Sequence, residues 1–311
     1  MLAIVCPGQG AQKPGFLAPW LELPGVSDTL GALAEPAGID LIAHGTESDA
    51  ETIRDTAVAQ PLLVAAGIVA ASQLGGDGAL PADVVAGHSV GEVTAAALAG
   101  VLSPEDALRL VAVRSQAMAR DAAREETGMA AVVGGTREEV LEAIRAQDLH
   151  PANINSASQV VAAGPVAALA ALGENAPAKA RVIPLQVAGA FHTPFMAGAR
   201  EELAAFAPTL SPADPATALV SNAGGQEVTS GARYLELIVD QVVSPVDWEA
   251  CMAALRNRGV TAILEVAPAG TLLGLAKREL KGVATASLNT PDDLEAARAL
   301  VSEHAAATKE H

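Results

Sequence analysis

The sequence predicts an α/β protein, with a large domain built on a mostly parallel sheet and a small α+β domain inserted into it. Three observations point there. Near both ends of the 311-residue chain, short apolar runs alternate with helical patterns, the arrangement of a parallel sheet covered by helices. The middle breaks that alternation with a strand, helix, strand, strand, helix, strand order. Half of the residues are hydrophobic but only 2% are aromatic, so the core is made of alanine, valine and leucine, and its layers must pack closely.

The first strand is the apolar run Leu2 to Cys6, followed by helical patterns up to Ala71 and a second strand at Val84 to Ala86. Two helices then reach to about Arg124. The second of them opens at Ser103-Pro104-Glu105-Asp106, where Ser103 is the N-cap, Pro104 takes the first helical position and two acids occupy the first turn. From Met129 the pattern is strand (Ala130 to Val133), helix (Glu138 to Gln147), strand near Ile154, strand (Val160 to Ala163), helix (Val166 to Leu172) and strand (Val182 to Val187). That order is the ferredoxin-like unit. Thr136 and Glu139, three apart, form a capping box that starts its first helix. The predicted small domain is therefore 127–191, and the large domain is 1–126 together with 192–311. The latter resumes with strands at Ala262 to Val266 and Val283 to Leu288 and closes with a helix over Asp292 to His304.

Composition excludes several classes of function. The net charge of −17 opposes nucleic-acid binding, which needs a basic face. The N-terminus lacks a basic lead-in to its apolar run, and no apolar stretch reaches about 18 residues, so neither secretion nor membrane spanning is predicted. Two cysteines, Cys6 and Cys251, make neither a disulfide framework nor a zinc site. The expectation is a cytoplasmic monomer without metal or redox cofactor.

Gly87-His88-Ser89-Val90-Gly91 lies between the Val84 strand and a helical stretch. That context makes it a nucleophile elbow, in which an exposed serine sits on a turn too sharp for side chains on either flank. The large domain is accordingly predicted to be α/β-hydrolase-like. The serine needs a base. His192, in the loop Gly189-Ala190-Phe191-His192-Thr193-Pro194 that returns the chain from the small domain, is the first choice, and His304 near the C-terminus is the rival. Advancing about 100° per residue along the helix from Glu105, Arg109, Gln116 and Arg120 form a polar stripe, while Arg114 falls at about 180°, on the apolar face. A guanidinium there demands an anion. Either a buried acid such as Asp121 or the carboxylate of a ligand meets the requirement. Pro7-Gly8-Gln9-Gly10 is neither a dinucleotide fingerprint nor a Walker loop; it is a tight turn able to offer backbone N–H groups to an anion.

Taken together with Val113-Arg114, Phe191-His192, Asn153-Ile154-Asn155-Ser156, Ala59-Gln60-Pro61 and Ser244-Pro245-Val246, these motifs resemble the malonyl-CoA:acyl carrier protein transacylases and the acyltransferase domains of polyketide synthases. The resemblance covers nearly the whole chain. It implies an S-malonyltransferase of fatty-acid or polyketide synthesis, with malonyl-CoA as substrate and acyl carrier protein as partner. It implies that Ser89 is acylated, that His192 is its base, and that a main-chain carbonyl at or near Gln241 orients the histidine. Backbone N–H groups of Gln9 and Val90 would form the oxyanion hole. Arg114 would hold the malonyl carboxylate, with Gln60, His88 and Asn155 lining the pocket and Phe191 disfavouring an α-methyl branch. Because carrier proteins are acidic, a basic patch at the cleft mouth is expected from Lys179, Arg181, Lys277, Arg278 and Lys281.

Overall fold

The computed structural model describes residues 1–75 and 80–305. In chain order its strands are β1 (Leu2–Cys6), β2 (Val84–Gly87), β3 (Thr127–Gly134), β4 (His150–Ser156), β5 (Gln159–Pro165), β6 (Ala180–Pro184), β7 (Ala218–Val220), β8 (Val246–Asp247), β9 (Ala262–Val266) and β10 (Ala284–Leu288). The helices are α1 (Val26–Ala37), α2 (Leu41–Thr46), α3 (Thr56–Ser72), α4 (Gly91–Leu98), α5 (Pro104–Ala122), α6 (Arg137–Ala146), α7 (Val166–Glu174), α8 (Ala197–Phe206), α9 (Gly231–Gln241), α10 (Trp248–Asn257), α11 (Thr271–Glu279) and α12 (Leu294–Ala305).

The large sheet has the order β10-β9-β1-β2-β7, and every pairing in it is parallel. A parallel sheet is covered on both faces, which is why β1 and β2 read as unbroken apolar runs. Alternate residues serve two cores. Leu2, Ile4 and Cys6 point into a cluster with residues of α3, α4 and α5, and Ala3 and Val5 into one with Trp248, Cys251 and Leu272 from α10 and α11.

The small sheet has the order β6-β3-β5-β4-β8. Its first four strands are antiparallel neighbours, the ferredoxin-like arrangement that the sequence predicts. One face packs Val132, Val160 and Ala162 beneath α6 and α7. The other sends Met129, Ala131, Val161 and Ala163 into the large core, so the two units share apolar contacts at their junction.

The sequence reading needs three adjustments. β8 pairs in parallel with β4 at Asn153↔Val246 and Ile154↔Asp247, adding to the small sheet a strand from outside 127–191. β7 and β8 are three and two residues long, too short for a period to be legible. The predicted strand Val182 to Val187 is shifted: pairing begins at Ala180 and ends at Pro184, after which the chain leaves the sheet for the cleft. Ser103 caps α5 as expected, accepting the Asp106 N–H at 3.1 Å. Thr136 caps α6, but Glu139 Oε2 meets the Thr136 hydroxyl at 2.8 Å instead of the backbone N–H of a full capping box. None of the described helices is long and apolar enough to cross a membrane.

Candidate active site

Because Cys6 is in register with Gly87 and Val5 with Glu265, the turns after β1 and β2 emerge together at the carboxyl edge of the large sheet. Open parallel sheets bind ligands at that edge. Ser89 takes a left-handed φ of 54°, a conformation that costs a non-glycine residue on the order of 1–2 kcal/mol. The flanking glycines are obligatory. A Cβ on Gly87 would stand 2.0 Å from Gly91 C, and one on Gly91 would stand 2.2 Å from Cys6 O. Asn222, in the loop after β7, braces the turn from the side. Its Nδ2 donates to Gly87 O at 2.7 Å and its Oδ1 accepts the Ser89 N–H at 2.8 Å.

His192 follows β6 in a loop tied to β3, where Ala190 N–H donates to Thr127 Oγ1 at 3.1 Å and Thr193 Oγ1 to Ala190 O at 2.6 Å. Its own φ is 62°. Nε2 lies 2.7 Å from Ser89 Oγ, and Nδ1 lies 2.8 Å from Gln241 O. A carbonyl only accepts, so Nδ1 carries the proton and Nε2 is left bare to take one from the serine. Gln241 is the last residue of α9, and helix-terminal carbonyls are those without an intrahelical partner. The orienting group is therefore a helix end. Burial, and then the charge of Arg114, push the His192 pKa down to about 3.

Arg114 is fully buried on α5. Its Nη1 donates to Gln60 Oε1 at 2.6 Å, and its Nη2 to Gln241 Oε1 at 2.9 Å and to Ser89 Oγ at 3.4 Å. Among the described residues the Nε has no partner. No ion pair of Arg114 occurs among the described residues. Asp121, the acid that its helical position suggests, instead accepts the Ala199 N–H at 2.7 Å and pairs with Arg124 at 3.0 Å. Burial lowers the Arg114 pKa to about 10, which still leaves the guanidinium charged at neutral pH.

The remaining predicted residues surround this centre. His88 Nε2 is 2.9 Å from Asn155 Oδ1 on β4, and its ring stands 5.8 Å from that of Trp248. Burial pulls the His88 pKa down. Phe191 is buried in the large core beside His192. The Gln9 side chain ties its turn to the α3 entrance by donating to Arg54 O at 3.1 Å. Among the described residues the backbone N–H groups of Gln9 and Val90 have no acceptor.

Two predicted groups lie elsewhere. His304 Nδ1 is 2.8 Å from Thr261 Oγ1, and Thr261 N–H donates to Met1 O at 2.9 Å; this is the amino edge of the parallel sheet, opposite Ser89. The expected basic patch is split. Lys277 and Arg278 sit in the last turn of α11, with Lys281 just before β10 starts at the amino edge. Lys179 and Arg181 lie just before and on β6, the edge strand of the small sheet, with β3 and β5 between it and the β4 strand that carries Asn155. A helix following a parallel strand runs back across the sheet, which carries the α11 cations away from the serine.

Sequence reasoning missed Asn222 and Glu92. Glu92 is fully buried; its Oε2 accepts the Gln241 Nε2–H at 2.7 Å and the Asn222 N–H at 3.0 Å. Burial raises its pKa, against hydrogen bonds that lower it. An acid in the first turn of a helix normally reads as a macrodipole partner facing solvent, so only its burial in three dimensions marks it out.

Comparison with known proteins agrees with this arrangement. The sequence profile of the acyl transferase domain matches residues 3–299. A malonyl CoA-acyl carrier protein transacylase of Mycobacterium tuberculosis is 50% identical over 297 residues, spanning 95% of this chain and 98% of that protein. The crystal structure of MCAT from Mycobacterium tuberculosis superposes with a TM-score of 0.93, covering 96% of this chain and 99% of that one at 50% identity. A malonyl-transacylase in complex with its type II PKS acyl-carrier protein superposes with a TM-score of 0.90 at 30% identity, covering 96% of this chain and 99% of that one. A serine elbow and a carbonyl-oriented histidine at the junction of two such sheets, on a chain alike from end to end, lead to one conclusion: the chain belongs to the acyl transferase family and, within it, to the malonyl CoA-acyl carrier protein transacylases.

Proposed function

We propose that Ser89 is the nucleophile, His192 its base and Arg114 the receptor of the acyl carboxylate. The chain is an S-malonyltransferase that moves malonyl from coenzyme A to the phosphopantetheine thiol of an acyl carrier protein through a malonyl-serine intermediate. One observation carries the assignment of roles: a buried guanidinium without an ion-pair partner lies 3.4 Å from a serine oxygen that is itself 2.7 Å from a bare imidazole nitrogen. That combination suits an acyl group bearing its own anion.

In the first half-reaction His192 Nε2 takes the Ser89 hydroxyl proton as Oγ attacks the thioester carbonyl. The tetrahedral oxyanion is met by the N–H groups of Gln9 and Val90. Collapse breaks the C–S bond, and the imidazolium returns its proton to the departing coenzyme A thiolate. The second half runs in reverse, with the carrier thiol giving its proton to His192 and attacking the acyl-serine. The Gln241 carbonyl holds the imidazole in one tautomer throughout. Gln60 supports Arg114, His88 of the elbow and Asn155 of the small sheet together form one wall, and Phe191 crowds the α-carbon. One methyl group is worth only about 1–3 kcal/mol of discrimination, so rejection of methylmalonyl is partial.

Incubation with malonyl-CoA alone should add one malonyl group to the protein by intact mass, and carrier protein should then remove it. A protein that binds malonyl-CoA and shows no adduct would refute the covalent mechanism.

The depressed histidine sets the pH dependence. An unperturbed imidazole at pKa about 6.5 would lose base activity below neutrality. With His192 held at about 3, kcat/KM for malonyl-CoA, which reports the free enzyme, should stay level from pH 8 to about pH 5.5. A tenfold fall centred near pH 6.5 would contradict it. Stability is not level over the same range: below about pH 6.5 the unfolded chain binds a proton at this site that the native one refuses, so the free energy of unfolding falls as pH drops towards 3.

A further inference from the structure

We infer that Glu92 is the positioning residue that sets both the carboxylate clamp and the nucleophile turn, through a single carboxyl oxygen. The inference rests on the malonyl-transfer reading above. Arg114 is gripped by amide oxygens, and an amide can present either its oxygen or its nitrogen. Gln241 presents Oε1 to Arg114 at 2.9 Å because its Nε2 is engaged on the other side, most closely by Glu92 Oε2 at 2.7 Å, with Asn222 Oδ1 at 3.1 Å and Ser89 O at 3.3 Å beyond it. If the amide were reversed, its N–H groups would face the guanidinium.

The same Oε2 accepts the Asn222 N–H at 3.0 Å, and the Asn222 side chain joins Gly87 O to the Ser89 N–H. One oxygen thus reaches Arg114 through Gln241 and Ser89 through Asn222. Gln241 also supplies the carbonyl that orients His192, so the three working side chains share one support.

Packing alone does not account for a glutamate here. The Ser221 side chain also faces its carboxyl, but Oε1 meets no partner at hydrogen-bond distance among the described residues, a state that an apolar side chain of similar volume would avoid. Nor does helix capping, because its partners belong to α9 and the loop after β7 and not to the N–H groups of its own helix. The position requires reach and an acceptor oxygen.

Two conservative variants separate reach from charge. Glu92→Gln keeps an acceptor oxygen at full length, whereas Glu92→Asp keeps the carboxylate but withdraws it by one methylene. Acylation of Ser89 by malonyl-CoA and by acetyl-CoA is measured for both, alongside thermal unfolding. Glu92→Gln should retain malonyl kcat/KM within about fivefold and the wild-type malonyl to acetyl ratio, while Glu92→Asp should lose about 30-fold with malonyl-CoA and about tenfold in the ratio. A structural role alone would lower both acyl groups together and leave the ratio unchanged; that result overturns the inference. A Glu92→Gln loss equal to that of Glu92→Asp overturns it as well. Failure of the wild-type protein to take up malonyl would instead count against the function itself, which keeps the two failures distinct.

Discussion

Ser89→Ala should leave a folded protein that acquires no malonyl group and transfers none, with kcat/KM reduced by at least about 10⁴-fold. The loss is this large because the covalent route disappears altogether. What remains is direct attack by the carrier thiol, helped only by the oxyanion donors and by binding. Folding is preserved because the Ser89 contacts that shape the turn are made by its backbone: the N–H donates to Asn222 Oδ1 and the carbonyl accepts from Gln241 Nε2. Alanine in the left-handed region is strained to a degree similar to serine. Intact mass after incubation with malonyl-CoA is the measurement. A malonyl adduct persisting on Ser89→Ala would remove Ser89 from the role assigned to it.

Arg114→Ala should reduce malonyl kcat/KM by about 100- to 1,000-fold, since a desolvated, hydrogen-bonded charge pair is worth roughly 3–4 kcal/mol. Acetyl transfer should fall by no more than about tenfold, from the loosened Gln60 and Gln241 amides. The sign of the difference is what matters. An acetyl group has no carboxylate for the guanidinium to meet, and in the wild-type pocket it leaves Nε without a partner. The substitution also removes a positive charge that lowers the His192 pKa, so the base should become easier to protonate and the acid limb of the pH profile should move upward. Equal losses for both acyl groups would refute the clamp.

Much of the site can be read along the chain because its parts are backbone devices. Gly87 and Gly91 are glycine because a Cβ would collide with the neighbouring chain, so the elbow announces itself as a motif. Arg114 announces itself by standing on the wrong face of an amphipathic helix. Periodicity likewise places β1, β2, β9 and the ferredoxin-like order, since each is long enough to show a pattern. β7 and β8 escape for the opposite reason, and with them goes Asn222, whose importance comes from a loop between two barely patterned segments. The expected basic patch fails for a related reason. Counting cations along the chain does not say at which edge of a sheet a helix ends, and α11 ends at the edge away from Ser89.

The linear chain was enough to predict the layered α/β architecture and the acyl transferase family, and to single out the three side chains proposed to perform the chemistry, because each depends on local sterics or on a repeating pattern. Which acid supports which amide was settled only by folding. Glu92, Asn222 and Gln241 meet across 130 and 149 residues of sequence, and the value of a buried hydrogen bond depends on who stands opposite, which no local pattern encodes.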